Sequence, residues 1–294
     1  MTPGKRRASL WVEASLLLTV FFFGTNFVAV KHVVENVPPI LFAAVRFTFA
    51  GMLLLLLLRF VEPESRLERK DFLPVLGLGV VGVTLTQSVF TVGVSMTTAA
   101  NTALIYSTAP VWGMLLGFVL TLEKPRLSGV LGVGLCLGGV ALIVYGGLSF
   151  SGTSLAGDAL ILAAAIFWGS YTVLSLFLLR RYSPLALAAY TILLGGLAAF
   201  PLSAFDFGRL HLAALDGSVW FAAAYSSLLS SGFGFAAWGW GVSQVGANRV
   251  LVYQYLVALI GVAAGILLLG EGFGLQQMSG AVVILAGVYL ARRR

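Results

Sequence analysis

The sequence predicts an all-α membrane protein: ten transmembrane helices arranged as two inverted five-helix repeats, with both termini cytoplasmic. Three observations lead there. The chain is 59% hydrophobic and only 10% charged, and it alternates long apolar stretches with short polar breaks. The segment at 21–51, FFFGTNFVAVKHVVENVPPILFAAVRFTFAG, returns at 166–196 as IFWGSYTVLSLFLLRRYSPLALAAYTILLGG. Lysine and arginine gather in alternate loops, as they do on the cytoplasmic side of membrane proteins.

Apolar stretches run over 10–30, 39–60, 72–94, 98–121, 127–146, 156–178, 184–204, 217–240, 246–269 and 275–291. Each is close to the roughly 20 residues that a helix needs to cross a bilayer core. The first follows Lys5–Arg7 in the manner of a signal peptide. It is too long for one, however, and reaches Lys31 without an A-x-A-like cleavage site, so it reads as a retained helix. At an offset of 145, Gly24 meets Gly169, Val28 meets Val173, Pro39 meets Pro184 and Gly51 meets Gly196. Deeper in each half, AANTALIY at 99–106 returns as GANRVLVY at 246–253, matching Asn101 with Asn248 and Tyr106 with Tyr253. Five stretches per half, an odd number, invert the second repeat (148–294) relative to the first (1–147). Such inverted repeats build midplane sites in many carriers. The run VEPESRLERKD at 61–71 reads as a solvated connector, and 146–157 as a flexible linker between the halves.

The pI near 9.8 does not signal a nucleic-acid partner. Arg59, Arg66, Arg69, Lys70, Lys124, Arg126, Arg180, Arg181, Arg249 and the basic residues at both termini all fall on one predicted side. Lys31 and Arg209 fall on the other, with Arg46 inside a span. This is topology. Cys136 stands alone, and His32 and His211 have no cluster of metal-ligating residues near them in sequence. Motifs for nucleophilic, metal-dependent or ATP-driven chemistry are absent from the sequence, so no enzyme activity, cofactor or metal is expected. Glu13 and Asp158 match across the halves and read as first-turn carboxylates that complement helix dipoles.

The candidate site residues are polar or aromatic and at interior depth. Trp168 and Tyr171, spaced i, i+3, share one helix face. Tyr106 and Tyr253 hold matched places, and Asn26, Gln87, Asn101, Trp238, Tyr225 and Gln254 add polar handles on other stretches. Rings with polar tips suit a pocket for an apolar or aromatic side chain and its amino-acid head group. The same residue types also form interfacial belts and bind helices together, and Trp11, Trp220 and Trp240 are assigned to a belt. On the site reading, Trp168→Ala impairs transport and leaves the folded yield near wild type. Pro110, midway along the fourth stretch, is a candidate hinge, while Val257 stands near its counterpart in the ninth, so the two are expected to bend unequally.

WGSYTV, the P-x-x-x-A-A turn into the second stretch, AAVRF, AANTALIY and the Glu-ended fourth and ninth stretches resemble the drug/metabolite transporter superfamily, its EamA-type family in particular. Within it they resemble bacterial aromatic amino-acid exporters. The resemblance implies a secondary transporter that exports amino acids, aromatic or otherwise apolar, across the bacterial inner membrane by alternating access. A drug or other small-metabolite exporter is the alternative. The cavity is expected between stretches 1, 3, 4, 6, 8 and 9, with membrane lipid around a monomer or weak homodimer. Arg46 is open to two readings. It attracts a substrate carboxylate, or it snorkels or binds backbone carbonyls, and similar proteins often carry Arg here whatever they transport.

Overall fold

The computed structural model describes residues 3–120, scattered positions between 127 and 142, 152–204, 206, 208, 215–251, 253–272 and 274–292. Among them the regular structure is entirely helical: α1 (Pro3–Val34), α2 (Pro39–Val61), α3 (Phe72–Gly79), α4 (Thr86–Met96), α5 (Ala99–Tyr106), α6 (Ala109–Val119), α7 (Gly152–Leu178), α8 (Pro184–Ala199), α9 (Gly217–Tyr225), α10 (Phe235–Val245), α11 (Ala247–Leu251), α12 (Gln254–Leu269) and α13 (Leu275–Arg292). Seven helical stretches are long and apolar enough to cross a membrane: Leu10–Val34, Pro39–Val61, Arg69–Met96, Ala99–Val119, Leu155–Leu178, Pro184–Ser203 and Ala247–Leu269. The stretch over 217–245 is helical throughout, but Ser226, Ser227, Ser230 and Ser231 dilute its apolar character. The apolar part of α13, Leu275–Gly287, is shorter. The predicted fifth stretch lies largely outside the described residues, and Glu123, Lys124, Cys136, Arg209 and His211 lie wholly outside them.

Local chemistry explains where these helices start and break. Pro39 and Pro184 sit in first turns, where a missing N–H costs nothing, and the Ser183 hydroxyl caps α8 by accepting from the Ala186 N–H. Between α3 and α4 the chain widens into a π-helical segment, Val80–Leu85, and between α9 and α10 it does so again over Ser226–Gly234. The fourth stretch is interrupted at Ser107–Thr108, where both hydroxyls donate to carbonyls of the preceding turn, Leu104 O at 2.5 Å and Ile105 O at 2.8 Å. Pro110 falls in the first turn of the helix after that interruption. The ninth stretch is also interrupted, between Leu251 and Gln254, two residues before the position matched to Ser107–Thr108, although Val257 stands where Pro110 has its counterpart. The break in the ninth stretch thus forms without a proline at its start.

The repeat governs packing. α2 and α8 form the most extensive helix pair. There a Cβ on Gly51 would lie 2.5 Å from Leu193 Cα, and one on the matched Gly196 would lie 2.5 Å from Thr48 N. Gly24 of α1 packs on Val257 and Ile260 of α12, and the matched Gly169 of α7 packs on Ala109 and Gly113 of α6. Each half's first stretch thus leans on the other half's fourth. These approaches replace the hydrophobic drive that lipid cannot supply between helices. Because the obstacle at Gly196 is backbone, Gly196→Val is expected to destabilise the fold by about 1–3 kcal/mol or more. Fluorescence-detected size exclusion after a temperature ramp reads this as a lowered Tm, and an unchanged Tm would refute the packing argument. Of the G-x-x-x-G glycines, Gly261 meets Phe27 and Ala103, whereas Gly134 and Gly138 face open space and their neighbour Gly139 packs on Ile284.

The two ends of the bundle carry polar networks. At the end rich in Arg and Lys, the 62–71 segment is largely exposed, as a solvated connector is, and is tethered to the 181–190 region. Arg181 pairs with Asp71, the Tyr182 hydroxyl donates to Asp71 Oδ2 at 3.0 Å, Ser183 donates to Glu62 Oε2 at 2.5 Å, and the Tyr190 hydroxyl donates to Ser65 O at 3.1 Å. At the opposite end Lys31 Nζ donates to Thr97 O at 2.6 Å and Val94 O at 3.0 Å, the carbonyl-rich terminus of α4. Thr97 Oγ1 donates to Asp158 Oδ1 at 2.6 Å, and Glu271 accepts the Ala99 and Ala100 N–H groups at 2.7 and 2.8 Å, capping α5 from another stretch. Asp216 caps α9, and the Ser218 hydroxyl and Val219 N–H bonded to it hold its carboxyl below the usual range. The dipole reading of Glu13 and Asp158 needs correction, because α1 and α7 begin well before them. Asp158 is instead a buried bridge to Thr97, and Glu13 is exposed.

Candidate functional site

Seven residues beyond Pro39, α2 turns Arg46 into the bundle, where it is 2% exposed. It neither snorkels nor binds a backbone carbonyl. Its Nη1 donates to Ser226 Oγ at 2.7 Å and its Nη2 donates to Gln87 Oε1 at 2.7 Å, while Ser226 Oγ donates onward to Asn26 Oδ1 at 2.6 Å. Phe47 lies under the guanidinium, its ring centroid 4.4 Å from Cζ. Both π-helical segments serve this network: Ser226 opens one, and Gln87 follows the other by two residues. Such segments recur at functional sites because the extra residue in the turn re-aims the side chains beyond it. Among the described residues the ion pairs are Lys70–Glu68 and Arg181–Asp71, so Arg46 is a buried cation held by neutral groups. Its Nε has no hydrogen-bond partner.

Aromatic side chains wall this cation on two sides. Phe27, Phe90 and Tyr106 form one group, with the Phe90 and Tyr106 centroids 5.4 Å apart. Phe23, Trp168, Tyr171, Phe235 and Trp238 form the other, with Trp168 stacked on Tyr171 at 5.4 Å and edge-on to Phe235 at 5.0 Å. Between the groups lies a cavity of about 40 Å³ lined by Phe23, Asn26, Phe27, Arg46, Gln87, Phe90, Tyr106, Trp168, Ser230, Phe235, Gln254 and Val257. At about 10–15 Å³ per water, that is room for about three or four water molecules, so a larger guest requires the lining helices to part. Among the described residues no acidic side chain lines it.

Of the residues singled out in the sequence, Asn26, Gln87, Tyr106, Trp168 and Arg46 meet at this cavity, on the first, third, fourth, sixth and second stretches. Tyr171 and Trp238 stand behind Trp168: Tyr171 stacks on its ring at 5.4 Å, and Trp238 Nε1 donates to Thr172 Oγ1 at 3.3 Å. Asn101 lies at the opposite end, near Asp158. Tyr253 lies beside Glu13 at the basic end, and Pro110 is one helical turn past Tyr106. The sequence reading missed Ser226, Ser230 and Phe235, whose signal is the serine run that interrupts an otherwise apolar stretch. It also placed Gln254 as a polar handle without the prominence its position gives it.

The EamA-like transporter family model matches residues 10–145 and again 155–293. The chain is similar to an uncharacterized transporter of Archaeoglobus fulgidus, 26% identical over 95% of this chain and 98% of that one. It is likewise similar to a probable terminal-alkyne amino-acid exporter of Streptantibioticus cattleyicolor, 27% identical over 95% of this chain and 93% of that one. A solved crystal structure superposes with a TM-score of 0.64 at 19% identity, covering 95% of this chain and 96% of that one, which shows a shared fold. Helices long and apolar enough to cross a membrane, in a chain with such relatives, describe a multi-pass protein of the inner membrane. Matched twice and across nearly its whole length, the chain belongs to the EamA-like transporter family.

Proposed function

We propose that this transporter exports amino acids with apolar or aromatic side chains across the bacterial inner membrane. It works as a secondary carrier, alternating access through the cavity between two inverted five-helix halves, 1–147 and 148–294, with ten crossings and the basic end cytoplasmic. The observation that carries the reading is Arg46, a buried guanidinium with only neutral partners and a free N–H, in a cavity walled by rings. A charge at such depth is costly unless something balances it, and a substrate carboxylate does so each time the site fills. The rings accept the side chain. The amino-acid exporter among the relatives supports the same substrate class. The reciprocal contacts, Gly24 on Val257 and Ile260 against Gly169 on Ala109 and Gly113, and Gly51 on Leu193 against Gly196 on Thr48, support the inverted arrangement.

With no acidic side chain in the lining and Glu13 exposed at the basic end, transport follows the substrate gradient without a titrating carboxylate in the site. Counterflow of radiolabelled phenylalanine in proteoliposomes tests this directly. Saturable exchange without a pH gradient is expected, with tryptophan competing. Flux that appears only under a proton gradient overturns the energetics. An absence of flux for every amino acid, with extrusion of drugs or other metabolites instead, moves the assignment to the superfamily's other substrates.

A further inference from the structure

Three buried polar atoms on residues lining the cavity have no hydrogen-bond partner: Arg46 Nε, Trp168 Nε1 and Gln254 Oε1. Two are donors and one is an acceptor. A carboxylate satisfies the two donors and leaves the acceptor wanting an N–H or O–H from the same guest. Resting on the amino-acid reading, we infer that Gln254 binds the substrate's α-ammonium group and is the residue by which the site separates amino acids from the corresponding carboxylic acids.

The placement fits that role. Gln254 opens α12 at the interruption of the ninth stretch and is 1% exposed. Its helix packs on α1 and α5, which carry Phe27 and Tyr106, and these rings offer an ammonium group their electron-rich faces. A neutral amide is the side chain that such a site requires. Glutamate at 254 would itself neutralise Arg46 and extinguish the attraction for a carboxylate, whereas an amide oxygen accepts from an ammonium and leaves the guanidinium free. A bare amine would face Arg46 with nothing to offset the like charge, and a bare carboxylic acid would leave Gln254 Oε1 buried and unpaired. Only the zwitterion answers all three atoms.

Discrimination by a buried group left unpaired is typically steep. The test is competition against radiolabelled phenylalanine counterflow in proteoliposomes, using 3-phenylpropionate, which lacks the ammonium, and phenethylamine, which lacks the carboxylate. In the wild type, each competitor is expected to need at least about tenfold more than phenylalanine to halve the exchange. Gln254→Leu is expected to raise the phenylalanine half-saturation by about tenfold and to lower that of 3-phenylpropionate, which no longer leaves a buried acceptor unpaired, collapsing the discrimination between them. Arg46→Gln is expected to alter the standing of phenethylamine instead. Wild-type protein that binds 3-phenylpropionate as well as phenylalanine overturns the inference without any variant. So does a folded Gln254→Leu, or Gln254→Met where leucine does not fold, that keeps full discrimination. Robust phenylalanine exchange with either of these results overturns the ammonium site alone, whereas absence of exchange for every amino acid overturns the functional reading beneath it.

Discussion

Exchange of Arg46 for glutamine lowers amino-acid counterflow by about 100-fold or more without reducing the yield of folded protein. Removing one partner of a buried charge pair costs about 2–5 kcal/mol, which corresponds to roughly thirtyfold to several thousandfold in affinity. Glutamine can still hydrogen-bond within reach of Ser226 and Gln87 but offers a carboxylate no charge. The effect on stability has the opposite sign. Arg46 is buried among Ser226, Gln87 and the rings of Phe42 and Phe47, with no carboxylate to pay for its desolvation, so its removal relieves a cost rather than adding one. Tm is therefore expected to hold or rise. Arg46→Lys keeps the charge but loses the forked donor set and should fall between the two. If Arg46→Gln fails to fold, the guanidinium is a structural element; if it folds and transports normally, the guanidinium does not hold the substrate. Scintillation counting of counterflow beside a melting curve separates the three outcomes.

The two halves were legible in the sequence because packing constrains identity: the glycines at 24 and 169, and at 51 and 196, recur where backbone meets side chain or backbone at distances no Cβ tolerates. Arg46 was legible as important because few reasons exist to bury a cation in a membrane. Its partners were not, since Ser226 lies 180 positions away. Tyr253 shows the limit of matched positions. It pairs with Tyr106 in the repeat, but Tyr106 faces Phe27 and Phe90 while Tyr253 lies near Glu13. Among the described residues the cavity draws Phe23, Asn26 and Phe27 from α1 but Trp168 alone from α7, so the two repeats contribute to it unequally. The π-helical segments leave no compositional mark beyond the serine run, yet they set the directions of Gln87 and Ser226. Asp158 was misplaced for a plainer reason: hydropathy marks where apolar residues begin, and helices begin earlier.

Trp168 is where the sequence expectation and the structure part most usefully. A lining residue at a cavity edge could be cut to alanine with the fold intact. Trp168 is 2% exposed and touches Phe23, Tyr171, Phe235 and Trp238 at centroid distances of 5.0–6.0 Å. Cutting a buried Trp to Ala costs about 3–5 kcal/mol through lost contacts and the hole that remains. That is a large share of the roughly 5–15 kcal/mol that stabilises a typical fold. Trp168→Ala is therefore expected to lower folded yield and Tm sharply, and its lost transport says nothing about a site. Trp168→Phe is the informative change. It keeps an aromatic ring against Tyr171 and Phe235 and removes only the indole edge with its unpartnered N–H. A hydrogen bond to a charged group contributes about 1.5–3 kcal/mol, so the half-saturation for phenylalanine should rise by about tenfold or more. A folded Trp168→Phe with unchanged half-saturation would remove the indole from the carboxylate's partners and leave Arg46 to hold it alone.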